Sequence, residues 1–244
     1  MKIIAIDTST SFATIAVAVD EQVVAESLLN TDRTLSARLV AEIERLLTTA
    51  GLSFHDIDIF AASIGPGSFT GVRGGIAVIQ GLALATGKRC AGYSSLALLA
   101  MNFSLSTNLI CPLLDARKSE VYAALFDCSS VIPAPRITDD VLSPAKLLER
   151  IASVTTKQVI FVGDGAVRYH DLIAEQLGDR AIFASYPFNS PRAANGTLLA
   201  LRSCRCGALL EPPHLLPLYL RASDAELNRS KNRPDLTGTH NALL

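Results

Sequence analysis

One pattern of residues occurs twice in this chain and constrains its fold more than any other feature. KIIAIDTSTSFATIAVAVD begins at Lys2, and LICPLLDARKSEVYAALFD begins at Leu109. In each segment an apolar strand leads to an aspartate, Asp7 or Asp115, and a second apolar strand follows a short polar connection. A repeat of this kind predicts two related α/β lobes.

The residues between the two copies predict the rest of the first lobe. Strand-like residues at 23–29 extend the first hairpin, and a further strand is predicted at 57–64. Apolar residues at helical spacing predict helices at 35–47 and 69–86. This order of three strands, a helix, a strand and a helix resembles one ribonuclease H-like lobe.

Two such lobes make the actin-like, Hsp70-like ATPase (ASKHA) architecture, and this is the fold that we predict. The first lobe, with its helices, is expected at 1–104, and the second lobe at 105–210. Four prolines and many polar residues follow Glu211. We therefore expect an extended tail at 211–244.

Composition narrows the classes of function. Of the 244 residues, 49% are apolar and 18% are charged, and the formal net charge is -1. The chain therefore lacks the basic excess of a domain that binds nucleic acid by itself. No uninterrupted apolar run reaches the ~18 residues of a membrane span, and the first residues predict a strand and not a signal peptide. We expect a cytoplasmic protein.

The residues that could hold a metal or act as a nucleophile are sparse. The cysteines are Cys90, Cys111, Cys128, Cys204 and Cys206. Their irregular spacing predicts reduced thiols, without a zinc site or a disulfide framework. The four histidines include no pair four residues apart, and Ser68 has no identifiable histidine base. These patterns give no support for catalysis by this chain alone.

Residues 63–87, SIGPGSFTGVRGGIAVIQGLALATG, connect a strand to an apolar helix through a glycine-rich turn. Phosphate-binding loops have this order of elements. The turn lacks the G-K-[ST] of a Walker A loop, and Thr70 stands where G-x-G-x-x-G has its third glycine. Either the loop binds phosphate, or its glycines adopt unusual backbone angles while Ser68 or Thr70 caps the helix.

The helix after this turn carries a stripe of small residues and almost no polar face. The stripe consists of Gly71, Gly74, Val78, Gly81 and Ala85. Each glycine destabilises a helix by about 0.5–1 kcal/mol relative to alanine, and close approach of another helix would offset this. Either the helix is internal, or it forms a partner surface together with Leu35, Leu39 and Ile43 of the preceding helix.

Asp7 and Asp115 are candidate residues of a nucleotide cleft, because actin-like ATPases hold Mg²⁺ with two acidic residues between their lobes. Neither turn contains a glycine whose backbone N–H would wrap a phosphate. The alternative is that each aspartate caps its own turn. Gly163 and Gly165 of VGDG are candidates for a further turn of this vestigial cleft.

Five segments together resemble the bacterial TsaB (YeaZ) family. They are IIAIDTST, GPGSFTGVRGGIAVIQGLALA, LLDARKSEVYAALF, VGDG and PLYLRASDAE. The resemblance spans roughly residues 1–225 and implies the actin-like fold. It also implies a non-catalytic accessory subunit for making N6-threonylcarbamoyladenosine at position 37 of tRNAs that read ANN codons. The family's catalytic paralogue, TsaD, has a metal-binding histidine pair that this chain lacks.

The same resemblance implies partners. Family members pair with TsaD through the two first-lobe helices, form homodimers by that surface without TsaD, and assemble with the ATPase TsaE. ATP and a divalent metal are then expected in the partner subunits, with no cofactor in this chain. Contact with tRNA would be indirect, and no membrane is implied.

One departure from the family is Leu35, where members often have a histidine. Two alternatives stay open. One is a self-sufficient nucleotide-binding ATPase or sugar-kinase-like enzyme of the same fold. The other is a glycoprotease-type peptidase, for which the sequence offers no nucleophile–base pair.

Overall fold

The structure of the chain is a computed structural model. It describes residues 1–30 and 35–221, apart from the side chains of residues 35–37. The described residues form two five-stranded sheets with helices packed against them. This confirms the predicted α/β class with two similar lobes.

The first sheet holds the first copy of the repeated pattern. Its strands are β1 (Lys2–Asp7), β2 (Phe12–Val19), β3 (Gln22–Asn30), β4 (Ile59–Gly65) and β5 (Arg89–Ser94). Their order is β3-β2-β1-β4-β5, with β1 to β3 antiparallel and β4 and β5 parallel to β1. Because β1 is central and covered on both faces, its residues from Ile3 to Ile6 are an unbroken apolar run, and the buried part of the strand extends to Asp7.

The second sheet repeats this order. Its strands are β6 (Leu109–Arg117), β7 (Glu120–Asp127), β8 (Ala134–Leu142), β9 (Val159–Val162) and β10 (Ala181–Phe183). They run β8-β7-β6-β9-β10, again with three antiparallel strands followed by two parallel ones. The repeat in the sequence therefore corresponds to a repeated sheet.

Helices cover these sheets. Those of the first lobe are α1 (Leu35–Thr49) and α2 (Phe69–Thr86), which pack side by side on one face of the first sheet. The second sheet is covered by α4 (Pro144–Val154), α5 (Asp164–Arg168) and α6 (His170–Leu177). Both predicted first-lobe helices are thus present, and α2 has the predicted bounds.

Two helices depart from the predicted lobes. Helix α3 (Ser95–Ala100) lies between the sheets, with Leu96 and Leu99 packed in the core of the second lobe. Helix α7 (Ala193–Arg205) packs through Ala200 on the other face of the first sheet. A boundary between residues 104 and 105 therefore does not separate the lobes. Helical spacing shows that a face is apolar but not which sheet covers it.

The beginning of the predicted tail is part of the first lobe. Leu210 pairs with Cys90 beside β5, and Leu215 is fully buried in the core under α2. The side-chain amide of Gln80 donates hydrogen bonds to the carbonyls of Pro212 (2.9 Å) and Leu215 (3.1 Å). The tail residues beyond 221 lie outside the described part of the chain.

Helix α2 has the length and composition of a membrane span, with 18 residues and a mean hydropathy of 1.2. Within the described ranges it is the one helix with these properties. Its inner side chains, Val72, Ile76 and Ile79, are buried on the first sheet. Leu84 and Ala85 are exposed. The helix is therefore not internal, because one side packs in the core and the other is open.

We expect Leu215→Ala to lower the free energy of unfolding by about 2–5 kcal/mol, because it removes a fully buried side chain from the core. The neighbouring Leu216 is 63% exposed, so Leu216→Ala should change stability by no more than about 0.5 kcal/mol. Urea unfolding of both variants measures the difference. Equal stabilities would show that this segment does not belong to the folded lobe.

Candidate functional site

The two lobes enclose a cleft of about 710 Å³. The β1–β2 connection, the glycine-rich turn and the start of α2 line it from the first lobe. The second lobe contributes the β6–β7 hairpin and the start of α5. Polar and charged residues on its walls include Ser9, Ser68, Thr70, Asp115, Arg117 and Asp164.

The glycines at the turn before α2 and in its first residues allow the β1–β2 connection to pack closely. A Cβ on Gly71 would lie 2.1 Å from the carbonyl oxygen of Thr8, and one on Gly67 would lie 2.4 Å from that of Ser9. The N–H of Ser68 donates to Ser9 O at 2.7 Å, and Thr8 Oγ1 donates to Gly71 O at 2.8 Å. The β1–β2 connection therefore lies against the turn, so the structural interpretation of its glycines accounts for them.

Two further residues complete this packing. Ser68 is the N-cap of α2, as one of the alternatives predicted, and its hydroxyl accepts a hydrogen bond from the N–H of Gly71. A Cβ on Gly75 would lie 2.3 Å from Thr8 Oγ1. The sequence analysis missed Gly75 because it falls outside the small stripe.

Asp7 lies at the end of β1, fully buried, and does not line the cleft. Its Oδ1 accepts hydrogen bonds from the N–H (3.2 Å) and the hydroxyl (3.0 Å) of Ser9, so it caps its own turn. Its Oδ2 has no partner among the described residues. Burial raises the pKa of Asp7, and the nearby hydroxyls of Ser63 and Ser95 only partly oppose this.

Asp115 does line the cleft, but its carboxylate is already occupied. Oδ1 accepts the N–H of Arg117 at 3.0 Å, and Oδ2 lies 3.3 Å from the Arg168 guanidinium and 3.5 Å from that of Arg117. A divalent cation here would compete with two positive side chains. The structure thus does not bring Asp7 and Asp115 to a common site.

Gly163 and Gly165 allow α5 to pack closely on β6. A Cβ on Gly163, where φ is +104°, would lie 2.2 Å from the carbonyl oxygen of Leu113, and one on Gly165 would lie 3.0 Å from Leu113. Between them, Asp164 faces the cleft and accepts the N–H of Asp115 at 3.0 Å. Sequence reasoning singled out the glycines of VGDG and missed this aspartate.

The described residues contain no group of three or more His, Cys, Asp or Glu side chains that could hold a metal ion. All five cysteines are free thiols. Cys111 and Cys90 are buried, and burial raises the pKa of the Cys90 thiol to about 11. Cys204 and Cys206, at the end of α7, are more accessible.

The small stripe of α2 does not lie on one face. Gly71 points to Thr8, and Val78 is half-buried against the core of the first lobe. We define the outer face of α2 by its exposed or open residues, Arg73, Gly74, Ala77, Gly81, Leu84 and Ala85. Of the five residues of the stripe, three lie on this face.

On α1 the structure separates the predicted residues from the surface. Leu39 and Ile43 are buried in the core, with 1% and 0% exposure, and are therefore not available to a partner. The side chain of Leu35 lies outside the described residues. The accessible residues of α1 include Val40 and Ala41, which the sequence analysis did not select.

These two lobes and the cleft between them have the actin-like (ASKHA) fold. The ROK hexokinase structure from Thermus thermophilus shares the fold, with a TM-score of 0.50 and 12% identity over 85% of this chain and 100% of that chain. The family profile described as "TsaD: tRNA N6-adenosine threonylcarbamoyltransferase" matches residues 22–228.

More similar proteins narrow the class to one family. The TsaB protein of tRNA threonylcarbamoyladenosine biosynthesis from Escherichia coli (strain K12) is 33% identical over 227 residues, 91% of this chain and 95% of that protein. The structure of YeaZ from Pseudomonas aeruginosa superposes with a TM-score of 0.77 and 28% identity, covering 90% of this chain and 99% of that one. The chain belongs to the TsaB (YeaZ) family of tRNA threonylcarbamoyladenosine biosynthesis proteins, which confirms the resemblance found in the sequence.

We expect Gly71→Ala to destabilise the protein by about 1–3 kcal/mol or more, because its new Cβ would overlap the carbonyl of Thr8. Gly81→Ala is the matched control in the same helix. A Cβ there meets no atom of the described residues within 4 Å, so this alanine should stabilise the protein by about 0.5–1 kcal/mol. Thermal and urea unfolding measure both effects. A harmless Gly71→Ala would contradict the close packing of Thr8 on this turn.

Asp7→Asn should raise the free energy of unfolding at neutral pH, since asparagine keeps an oxygen for Ser9 without a buried charge. The native pKa of Asp7 is raised above the ordinary value of 3.8. The wild type therefore gains stability as the pH falls through that native pKa, and loses it as the pH rises. The advantage of Asp7→Asn should shrink between about pH 7 and about pH 4.

Urea unfolding across this pH range tests the Asp7 prediction. Asp115→Asn is the control, because it removes a carboxylate that is paired with Arg117 and Arg168 and should not stabilise the protein. A loss of stability in Asp7→Asn at neutral pH would show that the buried charge is compensated.

Proposed function

We propose that this protein is a non-catalytic accessory subunit for the formation of N6-threonylcarbamoyladenosine at position 37 of tRNAs that read ANN codons. It acts as a heterodimer with a TsaD-type transferase, in the cytoplasm. The single observation that carries the proposal is the outer face of α2. On this face small and apolar residues are open on a helix whose other side is fixed in the core.

The described residues of the lobe give no reason for the glycines of this face. A Cβ on Gly74 or Gly81 would meet nothing within 4 Å, so no described neighbour requires a glycine there. Glycine nevertheless destabilises the helix by about 0.5–1 kcal/mol per position relative to alanine. Close approach of a partner helix explains why both positions lack a side chain.

The apolar residues around these glycines support the same surface. Leu84 is 61% exposed on α2, and Val40 is 41% exposed on the neighbouring α1. Ala77 and Ala85, which are exposed on the same face, have only methyl side chains. Two helices of a partner could pack on this surface in a four-helix arrangement, and a second copy of this chain could occupy it when the transferase is absent.

The cleft supports a role without catalysis. Its glycine turn is covered by the β1–β2 connection, Asp7 is buried, and Asp115 is paired with two arginines. We therefore assign ATP and the divalent metal to the partner subunits, the transferase and TsaE, and tRNA contact to the whole complex. Neither the ATPase alternative nor the peptidase alternative gains an observation in its favour.

The proposal is tested in host cells depleted of this protein, where the threonylcarbamoyladenosine content of tRNA should fall. Wild-type protein should restore it, and Ala77→Arg should not. Ala77 is exposed at the centre of the outer face, so an arginine there would be buried unpaired in the complex at a cost of several kcal/mol. Each 1.4 kcal/mol lowers affinity about tenfold. The variant chain should still fold, because the arginine faces water and favours helix.

The control is Ala152→Arg, the same substitution at an exposed position of α4 in the second lobe. It should restore the modification and co-purify with the transferase, whereas Ala77→Arg should do neither. A normal content of threonylcarbamoyladenosine in depleted cells would refute the function. If depletion lowers the modification but Ala77→Arg restores it and retains the transferase, the partner surface lies elsewhere.

A further inference from the structure

Residues 212–221 lie alongside α2 and are fixed to the first lobe at several points. Leu215 is buried in the core, and Gln80 holds the carbonyls of Pro212 and Leu215. The N–H of Leu218 donates to the carbonyl of Ile64 at 2.8 Å, at the end of β4. This part of the segment therefore moves with the first lobe.

Aromatic contacts bring the segment to the edge of the cleft. The ring of Tyr219 stacks on Phe69 in the first turn of α2, with centroids 5.5 Å apart. The guanidinium of Arg73, one helical turn further along α2, lies 4.4 Å from the centre of the Phe69 ring. Phe69 itself lines the cleft, so the next residues of the segment reach the cleft wall.

Two residues after the stacked tyrosine, the segment contacts the second lobe. Arg221 donates to the carboxylate of Glu120 at 2.7 Å and to the carbonyl of Ala116 at 3.0 Å. Both partners belong to the β6–β7 hairpin. The Arg221 side chain is 24% exposed and lines the cleft, so this ion pair is partly shielded from solvent.

This contact lies about the length of β6 away from the point at which the chain enters the second lobe. The chain enters the second lobe through α3, which leads to the start of β6 at Leu109, and it returns to the first lobe between β10 and α7. Near α3, the hydroxyl of Ser94 also donates to Asp139. The hairpin held by Arg221 is at the opposite end of the nine-residue β6. At about 3.3 Å per residue, that end is roughly 25 Å from Leu109.

We propose that residues 212–221 form a clasp that fixes the angle between the two lobes and closes one side of the cleft. Two lobes joined by chain crossings rotate about the line through those crossings. A contact at a distance from that line opposes the rotation most effectively. The clasp is anchored in one lobe and grips the other through Arg221. This inference concerns this chain alone and does not depend on the proposed partner.

The test measures the distance between spin labels on the two lobes. Labels are attached at Gln22→Cys and Glu149→Cys, both exposed, after Cys204 and Cys206 are replaced by serine. An excess of unlabelled protein removes distances between molecules. Arg221→Glu places two carboxylates opposite each other and should shift the interlobe distances to longer values and broaden them.

Two further variants isolate the clasp. The charge exchange Arg221→Glu with Glu120→Arg should restore the narrow wild-type distribution. Arg202→Glu makes the same charge change at an exposed position of α7 and should leave the distribution unchanged. If Arg221→Glu fails to fold, Arg221→Gln removes the ion pair without repulsion and should give the same shift.

Identical distributions for the wild type and the Arg221 variants would overturn the clasp. It would also be overturned by an equal change in Arg202→Glu, or by a charge exchange that leaves the lobes apart.

Discussion

The structure depends on one close contact, between the β1–β2 connection and the first turns of α2. Thr8 and Ser9 lie where side chains at Gly67, Gly71 and Gly75 would otherwise be. Because the connection follows the central strand, this contact fixes α2 relative to the whole first sheet. It thereby decides which side of α2 faces the core, and it forms one wall of the cleft.

The same contact determines how the first lobe forms its wall of the cleft. Two backbone groups at the glycine turn are used by Ser9 and Thr8, and Asp115 is paired with Arg117 and Arg168, while Asp164 is exposed on the wall of the second lobe. The loop therefore packs on its own lobe, while the outer face of α2 stays open.

Much of this architecture could be predicted from the sequence, because the repeat around Asp7 and Asp115 specifies two hairpins and therefore two sheets. The placement of α3 and α7 could not, since an apolar helical face does not identify the sheet that covers it. The same limit applies to the candidate surface. Leu39 and Ile43 have the spacing of a surface ridge and belong to the core, whereas a Cβ on Gly74 or Gly81 would meet no described atom within 4 Å.

The exchange of α3 and α7 between the lobes has a consequence for synthesis of the chain. One face of the first sheet is covered by α7, which ends at Arg205, although the last strand of that sheet ends at Ser94. While the chain is being translated, the first lobe therefore remains open on that face until nearly the whole protein has left the ribosome. Neither half of the gene encodes a lobe that can complete its own core.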